Sequence, residues 1–308
     1  MSILFAGTPE NAAMSLRELV RSGVPISLVL TRTDSRVGRK KVLSPSPVAL
    51  AAEELGIPVI RSNAVDFDTI AKIRAARVSF AVVIAYGVIL RDAALEALPK
   101  GWFNLHYSLL PRWRGAAPVQ RALISGDAET GVTLFKIDNG LDTGDILGTV
   151  STKIQPSENS AELLNRLSIL GVSLLLEQLP RIESGLGSLS PQKTEGVSLA
   201  PKVSRSEAEL DFKRSAIELE NLTRGTNPEP GAWLALGKHG ELKVFNARAQ
   251  STSTLKAGEF SLVSGMVLVG SSVGALELIE VQPSGKTRMN AKDWFRGFSE
   301  KLRSGQIV

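Results

Sequence analysis

Short apolar runs alternate with segments of helical periodicity over the first 150 residues, and this alternation constrains the fold more than any other feature. Strands are predicted at residues 3–5, 26–31, 59–60, 80–85, 102–106 and 132–137, and helices at residues 9–21, 47–55, 67–76 and 118–124. Strands that are apolar throughout are typical of a parallel sheet with helices on both faces. Because such sheets bind ligands outside the carboxyl ends of their strands, we expect the segments that end at Tyr86 and His106, and the loop after Ile137, to open onto one edge.

The pattern changes in the second half of the chain. Asn159 and Glu162 predict the start of a helix, and leucines continue its periodicity to Leu179. Residues 186–206 are rich in Ser, Gly, Pro and Lys and lack periodicity, which is typical of a linker. Beyond it, helices are predicted at residues 216–224 and 291–302, and short alternating strands at residues 232–236, 242–249, 259–263, 266–269 and 275–281. These strands predict a small antiparallel barrel, so we expect one domain over residues 1–185 and a second over residues 207–308.

Composition excludes several kinds of site. The 308 residues contain no cysteine, which rules out disulfides, a thiolate nucleophile and Cys-ligated metals, and the presence of only two histidines argues against a His-rich metal site. The net charge of +5 suits a polyanionic partner, although many basic proteins have none. No apolar run reaches the ~20 residues needed to cross a bilayer, and the chain opens directly on a strand pattern. We therefore expect a cytoplasmic protein that does not bind membranes.

Asn104 and His106 lie at the end of a predicted strand. Side chains two positions apart in a strand share a face, so the carboxamide and the imidazole should project into the same pocket. Acyl transfer through a tetrahedral intermediate needs such a pair, because one group stabilises the negative charge on the carbonyl oxygen and the other handles a proton. The alternative is that His106 is a hydrogen-bonded structural histidine.

Asp142 is the candidate third member of the site. A carboxylate beside His106 would orient the imidazole and favour its protonated form. The loop around Asp142 first suggests a calcium site, but the third and twelfth positions of an EF-type loop would fall on Gly140 and Thr149, which do not fit. The alternative interpretation is a polar turn that joins two strands.

Two other active-site designs do not fit the chain. Ser108 is two residues from His106 and the chain has no nucleophile-elbow motif, which argues against covalent serine catalysis. Gly7 follows the first strand without the glycine pattern of a dinucleotide-binding loop. It is interpreted as part of a plain tight turn, and a nicotinamide cofactor is disfavoured.

Three motifs around these residues carry a family resemblance. The chain has Asn-x-His at residues 104–106, Ser-Leu-Leu-Pro at residues 108–111 and Gly-x-Asp-x-Gly-Asp at residues 140–145, and in this it resembles the folate-dependent formyltransferases. Further motifs resemble the branch of that family that acts on methionyl-tRNA, and they lie at residues 5–10, 38–41, 44–47, 85–87, 112–121, 227–232 and 282–286. The chain departs from this branch at Asn11, where an aromatic residue is usual, and in a slightly shorter basic loop.

The resemblance implies an α/β fold, in which a Rossmann-like catalytic domain with a parallel-rich sheet precedes an OB-like β-barrel domain that binds tRNA. It implies transfer of a formyl group from 10-formyltetrahydrofolate to the α-amine of methionine on initiator tRNA, without a metal and in a monomer. The implied catalytic residues are Asn104, His106 and Asp142, and the implied folate-binding residues are Tyr86, Gly87, Ser108, Leu109, Leu110 and Pro111. Two alternatives are a formyltransferase for a small amine, such as glycinamide ribonucleotide or an amino sugar, and a non-catalytic RNA-binding protein.

A basic loop over residues 31–46 is the candidate tRNA-binding segment. Its contact residues are expected to be Arg36, Arg39, Lys40 and Lys41. Gly38 and two prolines argue against regular structure in this loop, and its small apolar content predicts that it is mobile in the free protein.

Overall fold

The computed structural model describes residues 2–38, 40–185 and 188–302, with the backbone alone at residues 299–302. The chain divides into two compact units. The first comprises the residues up to Gly115 together with Thr130–Thr152 and Leu164–Leu199, and the second comprises Ala116–Glu129, Lys153–Leu163 and the residues from Ala200 onward.

The elements of the first half of the chain alternate between strands and helices. They are β1 (Ile3–Gly7), α1 (Glu10–Arg21), β2 (Ile26–Thr31), β3 (Ser35–Val37), β4 (Val42–Ser44), α2 (Pro47–Glu54), β5 (Val59–Arg61), α3 (Phe67–Ala75), β6 (Phe80–Ile84), α4 (Asp92–Leu95), β7 (Trp102–His106), α5 (Pro118–Ile124), β8 (Glu129–Lys136), β9 (Ile146–Lys153) and α6 (Ser160–Ser184). Strands β2 and β7 have the predicted bounds, and the other predicted strands and helices of this half are confirmed within a few residues.

The first unit contains a seven-stranded sheet in the order β5-β2-β1-β6-β7-β8-β9. The five strands from β5 to β7 run parallel, and β8 pairs antiparallel with β7. Strands β1 and β6 are buried at every position, as the continuous apolar runs predict for a sheet covered on both faces. The expected parallel-rich α/β sheet is therefore confirmed.

Helix α6 begins where the capping residues predict. The Asn159 side-chain oxygen accepts from the backbone N–H of Glu162 at 3.1 Å, and the Glu162 carboxylate accepts from the N–H of Asn159 at 2.9 Å. Further along the helix, Gly171 faces Leu105 of β7, and a Cβ at this position would lie 2.5 Å from the Leu105 Cδ2 atom. The absence of a side chain at Gly171 therefore sets the distance between this helix and β7.

Three features of this unit differ from the sequence predictions. The expectation that residues 31–46 lack regular structure is wrong, because β3 and β4 form a short antiparallel hairpin with Arg36 opposite Leu43. Strand β9 and helix α4 were not predicted. The loop after Ile137 does not start at the carboxyl edge of the parallel strands, because β8 runs antiparallel and the Ile137 N–H donates to the Trp102 carbonyl at the start of β7.

The second unit is built around an antiparallel sheet in the order β10-β11-β14-β13-β12, with β15 paired to β14. Its elements are α7 (Ala216–Thr226), β10 (Ala232–Ala235), a 3-10 turn (Gly237–His239), β11 (Glu241–Gln250), β12 (Phe260–Val263), β13 (Met266–Gly270), β14 (Ala275–Pro283), β15 (Met289–Asn290) and α8 (Ala291–Leu302). Leu219, Val244, Val269 and Leu276 lie in its core. Within the described ranges of the chain, no helix combines the length and the apolar content that crossing a membrane requires.

Candidate active site

The ends of three parallel strands lie side by side at the carboxyl edge of the sheet. Gly7 of β1 is in register with Ile84 of β6, and Val83 of β6 is in register with Asn104 of β7. Asn104 and His106 therefore end β7 on one face, as the period of two predicts, while Leu105 is buried on the other face. The fold thus brings the carboxamide and the imidazole to the edge where parallel sheets bind ligands.

Two groups flank the imidazole of His106, which is only 5% exposed. Its Nε2 atom lies 2.8 Å from the Trp113 carbonyl oxygen. A carbonyl oxygen can only accept, so Nε2 carries the hydrogen and donates it. On the other side, Nδ1 lies 3.7 Å from Oδ2 of Asp142, which is too long for a direct hydrogen bond. The structure therefore brings His106 and Asp142 together, as predicted, and leaves Nδ1 as the nitrogen that can take up a proton.

Burial lowers the pKa of His106 from its ordinary value, and this effect outweighs both the Asp142 carboxylate and the Trp113 carbonyl, which raise the pKa. The Asp142 carboxylate favours the imidazolium, as expected, but the sequence does not show how deeply the ring is buried. The lowered pKa favours the neutral imidazole of His106 in the free protein.

The loop that carries Asp142 is held by hydrogen bonds to its main chain and its side chains. Oδ2 of Asp142 accepts from the Gly115 N–H at 2.7 Å. Asp142 has a φ of 52°, a left-handed conformation that favours glycine, so the surrounding contacts stabilise a strained backbone. The Asp138 carboxylate accepts from the Gly140 N–H at 3.0 Å and from the Thr143 hydroxyl at 2.7 Å, so it stabilises the turn over residues 138–143.

The segment after His106 forms a second ordered loop. The Ser108 hydroxyl donates to the Arg112 carbonyl at 2.6 Å, and the Ser108 carbonyl accepts from the Thr133 hydroxyl at 2.7 Å. Trp113, whose carbonyl receives the His106 hydrogen bond, also has a left-handed φ of 61°. Ser108 is fully buried, so its hydroxyl shapes the turn that places the Trp113 carbonyl.

The candidate folate-binding residues lie on neighbouring segments of the same edge. Tyr86 is 1% exposed, and its hydroxyl donates to the Ser62 carbonyl at 2.9 Å, so burial raises the pKa of Tyr86 to about 12. Gly87 is exposed, with a φ of 79°. Leu109 is half-buried, and Leu110 and Pro111 are buried. The folate-binding role of these residues stays a prediction, and any contact from Tyr86 would come from its backbone.

Gly7 has a packing role at this edge. A Cβ at Gly7 would lie 2.9 Å from both the Ala12 Cβ and the Ile84 carbonyl oxygen, so helix α1 and strand β6 leave no space for a side chain. This close packing agrees with the interpretation of a plain tight turn.

Three of the four candidate tRNA-binding residues lie on the hairpin of β3 and β4. Arg36, Lys40 and Lys41 are exposed, and Arg39 lies outside the described residues. Apolar side chains are exposed beside these cations, since Leu43 is 65% exposed. The role of these cations in tRNA binding stays a prediction.

Sequence reasoning missed two residues that hold the site, and both lie in the segment interpreted as a linker. Gln192 donates to the Asp142 carbonyl at 2.8 Å, and the Ser198 hydroxyl accepts from the Trp113 N–H at 2.9 Å. No sequence signal identifies them, because an isolated polar residue in an aperiodic segment has no distinctive pattern. Among the described side chains, no group of three or more His, Asp or Glu residues is arranged to hold a metal ion.

Comparisons with known proteins show which family the chain belongs to. A family model described as formyl transferase matches residues 1–179, and one described as formyl transferase, C-terminal domain, matches residues 202–299. The methionyl-tRNA formyltransferase of Arthrobacter sp. (strain FB24) is 46% identical over 96% of this chain and 97% of its own length. That of Paenarthrobacter aurescens (strain TC1) is 46% identical over 98% of this chain and 99% of its own.

Solved structures share the fold at low sequence identity. An N-formyltransferase from Helicobacter canadensis, in complex with folinic acid and dTDP-3-aminofucose, aligns with a TM-score of 0.67 and 19% identity over 90% of this chain and 98% of its own. Phosphoribosylglycinamide formyltransferase from Bacillus halodurans aligns with a TM-score of 0.52 and 18% identity over 60% of this chain and 97% of its own. The two matched domains and the full-length relatives show that the chain belongs to the formyl transferase family, in its methionyl-tRNA formyltransferase branch.

Proposed function

We propose that this chain transfers the formyl group of 10-formyltetrahydrofolate to the α-amine of methionine on initiator tRNA. The observation that carries the proposal is that Asp142 reaches His106 of β7, the strand that also carries Asn104, in a chain whose relatives named for this activity match it over nearly their full length. Members of the family take the group from a formyl-tetrahydrofolate. The exposed apolar side chains of Ile89 and Leu141 lie in segments adjoining the candidate folate-binding and catalytic residues and suit an aromatic donor.

The chain supplies a donor and a base to the reaction. Asn104 donates its carboxamide N–H to the formyl oxygen as negative charge develops there. His106, neutral at the start, accepts the proton of the attacking amine at Nδ1. Attack of the amine on the formyl carbon gives a tetrahedral intermediate. This intermediate collapses when the bond to the folate nitrogen breaks, and His106 passes the proton to that nitrogen.

Asp142 acts when His106 becomes charged. An imidazolium beside a carboxylate at 3.7 Å is favoured, whereas the neutral ring gains little from it. Asp142 therefore stabilises the state in which His106 holds the proton, and this state occurs only during the reaction. Stabilising that state lowers the barrier without tightening binding of the ground state.

We also propose the division of labour expected from the sequence. Residues 1–185 would form the catalytic domain, residues 186–206 the linker, and residues 207–308 a tRNA-binding domain, with Arg36, Arg39, Lys40 and Lys41 adding contacts to phosphates. The ranges of the two matched family models support this division. The protein would act as a monomer in the cytoplasm, where initiator tRNA is charged and used.

One assay tests the proposal directly. The protein is incubated with 10-formyltetrahydrofolate and either charged initiator tRNA, free methionine or glycinamide ribonucleotide, and the formylated product is identified. We expect efficient formylation of the charged tRNA alone. Asn104→Ala should lower kcat by on the order of 10²–10³, whereas Asn165→Ala, at an exposed position of α6, should not. Formylation of a small amine with the tRNA inert would overturn the proposal.

A further inference from the structure

We propose that Gln192 is a positioning residue of this active site. It holds the Asp142 loop (residues 137–145) and the Trp113 loop (residues 107–117) at the spacing that His106 requires. Gln192 lies far from both loops in sequence, in the segment that composition marks as a linker. Its importance for turnover rests on the proposed function, whereas its effect on the geometry around His106 does not.

The Gln192 carboxamide makes four hydrogen bonds, which use both of its ends. Its Nε2 atom donates to the main-chain carbonyls of Asp142 at 2.8 Å and Gly144 at 2.9 Å. Its Oε1 atom accepts from Nε of Arg114 at 3.1 Å and from Nη2 of Arg114 at 2.7 Å. A carboxamide has two donor hydrogens and one oxygen with two lone pairs, so every hydrogen-bonding position of Gln192 is used.

These bonds join the two loops that flank the imidazole. Arg114 lies between Trp113, whose carbonyl receives the Nε2 hydrogen of His106, and Gly115, whose N–H holds the Asp142 carboxylate. The other end of Gln192 holds the main chain at Asp142 itself. One side chain therefore connects the partners on both nitrogens of His106.

The Asp142 loop needs such an anchor. Asp142 adopts a left-handed φ of 52°, which is strained for a residue with a side chain. Such a conformation persists only when several surrounding contacts hold it in place. A close approach at Gly144, where a Cβ would lie 1.8 Å from the Lys136 carbonyl oxygen, restrains the loop further. Loss of the Gln192 donors would leave two carbonyls without their partner and let the Asp142 carboxylate move away from His106.

The segment around Gln192 is tethered on both sides. Ser190 exchanges backbone hydrogen bonds with Ile146, at 2.8 and 2.9 Å. Ser198 accepts from the Trp113 N–H through its hydroxyl, and its carbonyl accepts from the Arg114 N–H at 2.9 Å. Gln192 thus lies in a well-fixed stretch of backbone, as a residue that positions others must.

The test compares Gln192→Met, which keeps the length of the side chain and removes its polar atoms, with Lys193→Met at the exposed neighbouring position. NMR titration follows the His106 imidazole of the full-length protein. Because Asp142 raises the pKa of His106, Gln192→Met should lower that pKa, whereas Lys193→Met should leave it unchanged. Formylation of charged tRNA should show a kcat lower by about 10- to 100-fold at nearly constant KM for the folate.

A second variant covers the possibility that Gln192→Met fails to fold. Arg114→Met removes the partner that orients the carboxamide, and it should shift the His106 titration in the same direction by a smaller amount. An unchanged His106 titration in a folded Gln192→Met protein would overturn the inference, whatever its turnover. If the titration shifts as expected but no acceptor is formylated by the wild type, the proposed function fails and the positioning role stands.

Discussion

The protonation of His106 depends on a backbone conformation that sequence patterns do not encode. The Trp113 carbonyl fixes the tautomer, and Trp113, which provides this carbonyl, adopts a left-handed φ. Asp142 adopts the same conformation on the other side of the ring. Two strained residues thus lie beside one buried imidazole, and strain of this kind is typical of sites where geometry must be pre-organised.

The buried His106 makes stability depend on acidity in a predictable direction. Its pKa in the folded state lies below the ordinary 6.5, so the unfolded chain takes up a proton that the folded protein does not, and stability falls as pH drops below about 6.5. Urea unfolding at pH 7.5 and pH 5.0 should show that the wild type loses more stability on acidification than His106→Gln. Equal losses in the wild type and His106→Gln would contradict this account.

Asn11, the residue where the sequence predicts a departure from the branch, has a polar partner. Its carboxamide donates to the Tyr107 hydroxyl at 3.2 Å, and Ser168 Oγ lies 3.3 Å from the same hydroxyl. Burial raises the pKa of Tyr107, so the phenol stays neutral. The Asn11 carboxamide and the Ser168 hydroxyl therefore hold the side chain of Tyr107, the residue between His106 and Ser108.

Removing the Tyr107 hydroxyl should cost stability. Tyr107→Phe leaves the buried Asn11 carboxamide without its acceptor, so the free energy of unfolding should fall by about 1–3 kcal/mol. Asn11→Ala should cost a similar amount, and the double variant should cost less than the two losses together, because the second change no longer leaves a partner unsatisfied. Urea unfolding of the four proteins measures this coupling. Strict additivity would show that the hydroxyl and the carboxamide act independently.

At the scale of elements, the sequence predicted what periodicity controls. It placed β7 at its observed bounds and put Asn104 and His106 on one face, because side-chain alternation is a local property of a strand. It did not predict the antiparallel direction of β8, since an apolar run has the same pattern in either direction. The hairpin of β3 and β4 and the anchoring by Gln192 were missed for a related reason, as both depend on contacts between segments that have no periodic signal of their own.

The contact between α6 and β7 supports the catalytic strand from its far face. A Cβ at Gly171 would overlap with Leu105, which lies between Asn104 and His106. Gly171→Ala should therefore lower the free energy of unfolding by about 1–3 kcal/mol, although alanine is the better helix former by roughly 1 kcal/mol. Turnover should fall as well, because β7 is displaced.

The control for this prediction lies on the same helix. Ser173→Ala, at an exposed position, should leave both stability and turnover nearly unchanged. Adding Leu105→Val to Gly171→Ala should recover part of the lost stability by making room for the new methyl group. A Gly171→Ala protein as stable as Ser173→Ala would mean that the helix and the strand separate without cost.

At the scale of the whole molecule, the net charge of +5 is spread over many sites, so charge alone does not identify an RNA-binding surface. The hairpin of β3 and β4 combines exposed cations with exposed apolar side chains. Arg36, Lys40 and Lys41 are exposed next to the exposed apolar side chains of Val37 and Leu43. Such a surface offers both phosphate contacts and apolar contacts to a nucleic acid.

The salt dependence of tRNA binding tests whether these cations bind phosphates. Binding releases counterions, so affinity should fall as salt rises, while folate affinity in a mostly apolar pocket should change much less. Replacing Arg36, Lys40 and Lys41 by alanine should weaken tRNA binding and reduce the slope of log K against log salt by about one for each phosphate that is no longer neutralised. The matched control removes the same charge from the exposed side chains of Lys72, Arg74 and Arg77. If the hairpin owes its effect to net charge alone, both triple variants will weaken tRNA binding equally. We expect instead that the hairpin variant shows a lower tRNA affinity and a smaller salt slope, whereas the control variant stays close to the wild type. Folate affinity should be unchanged in both variants.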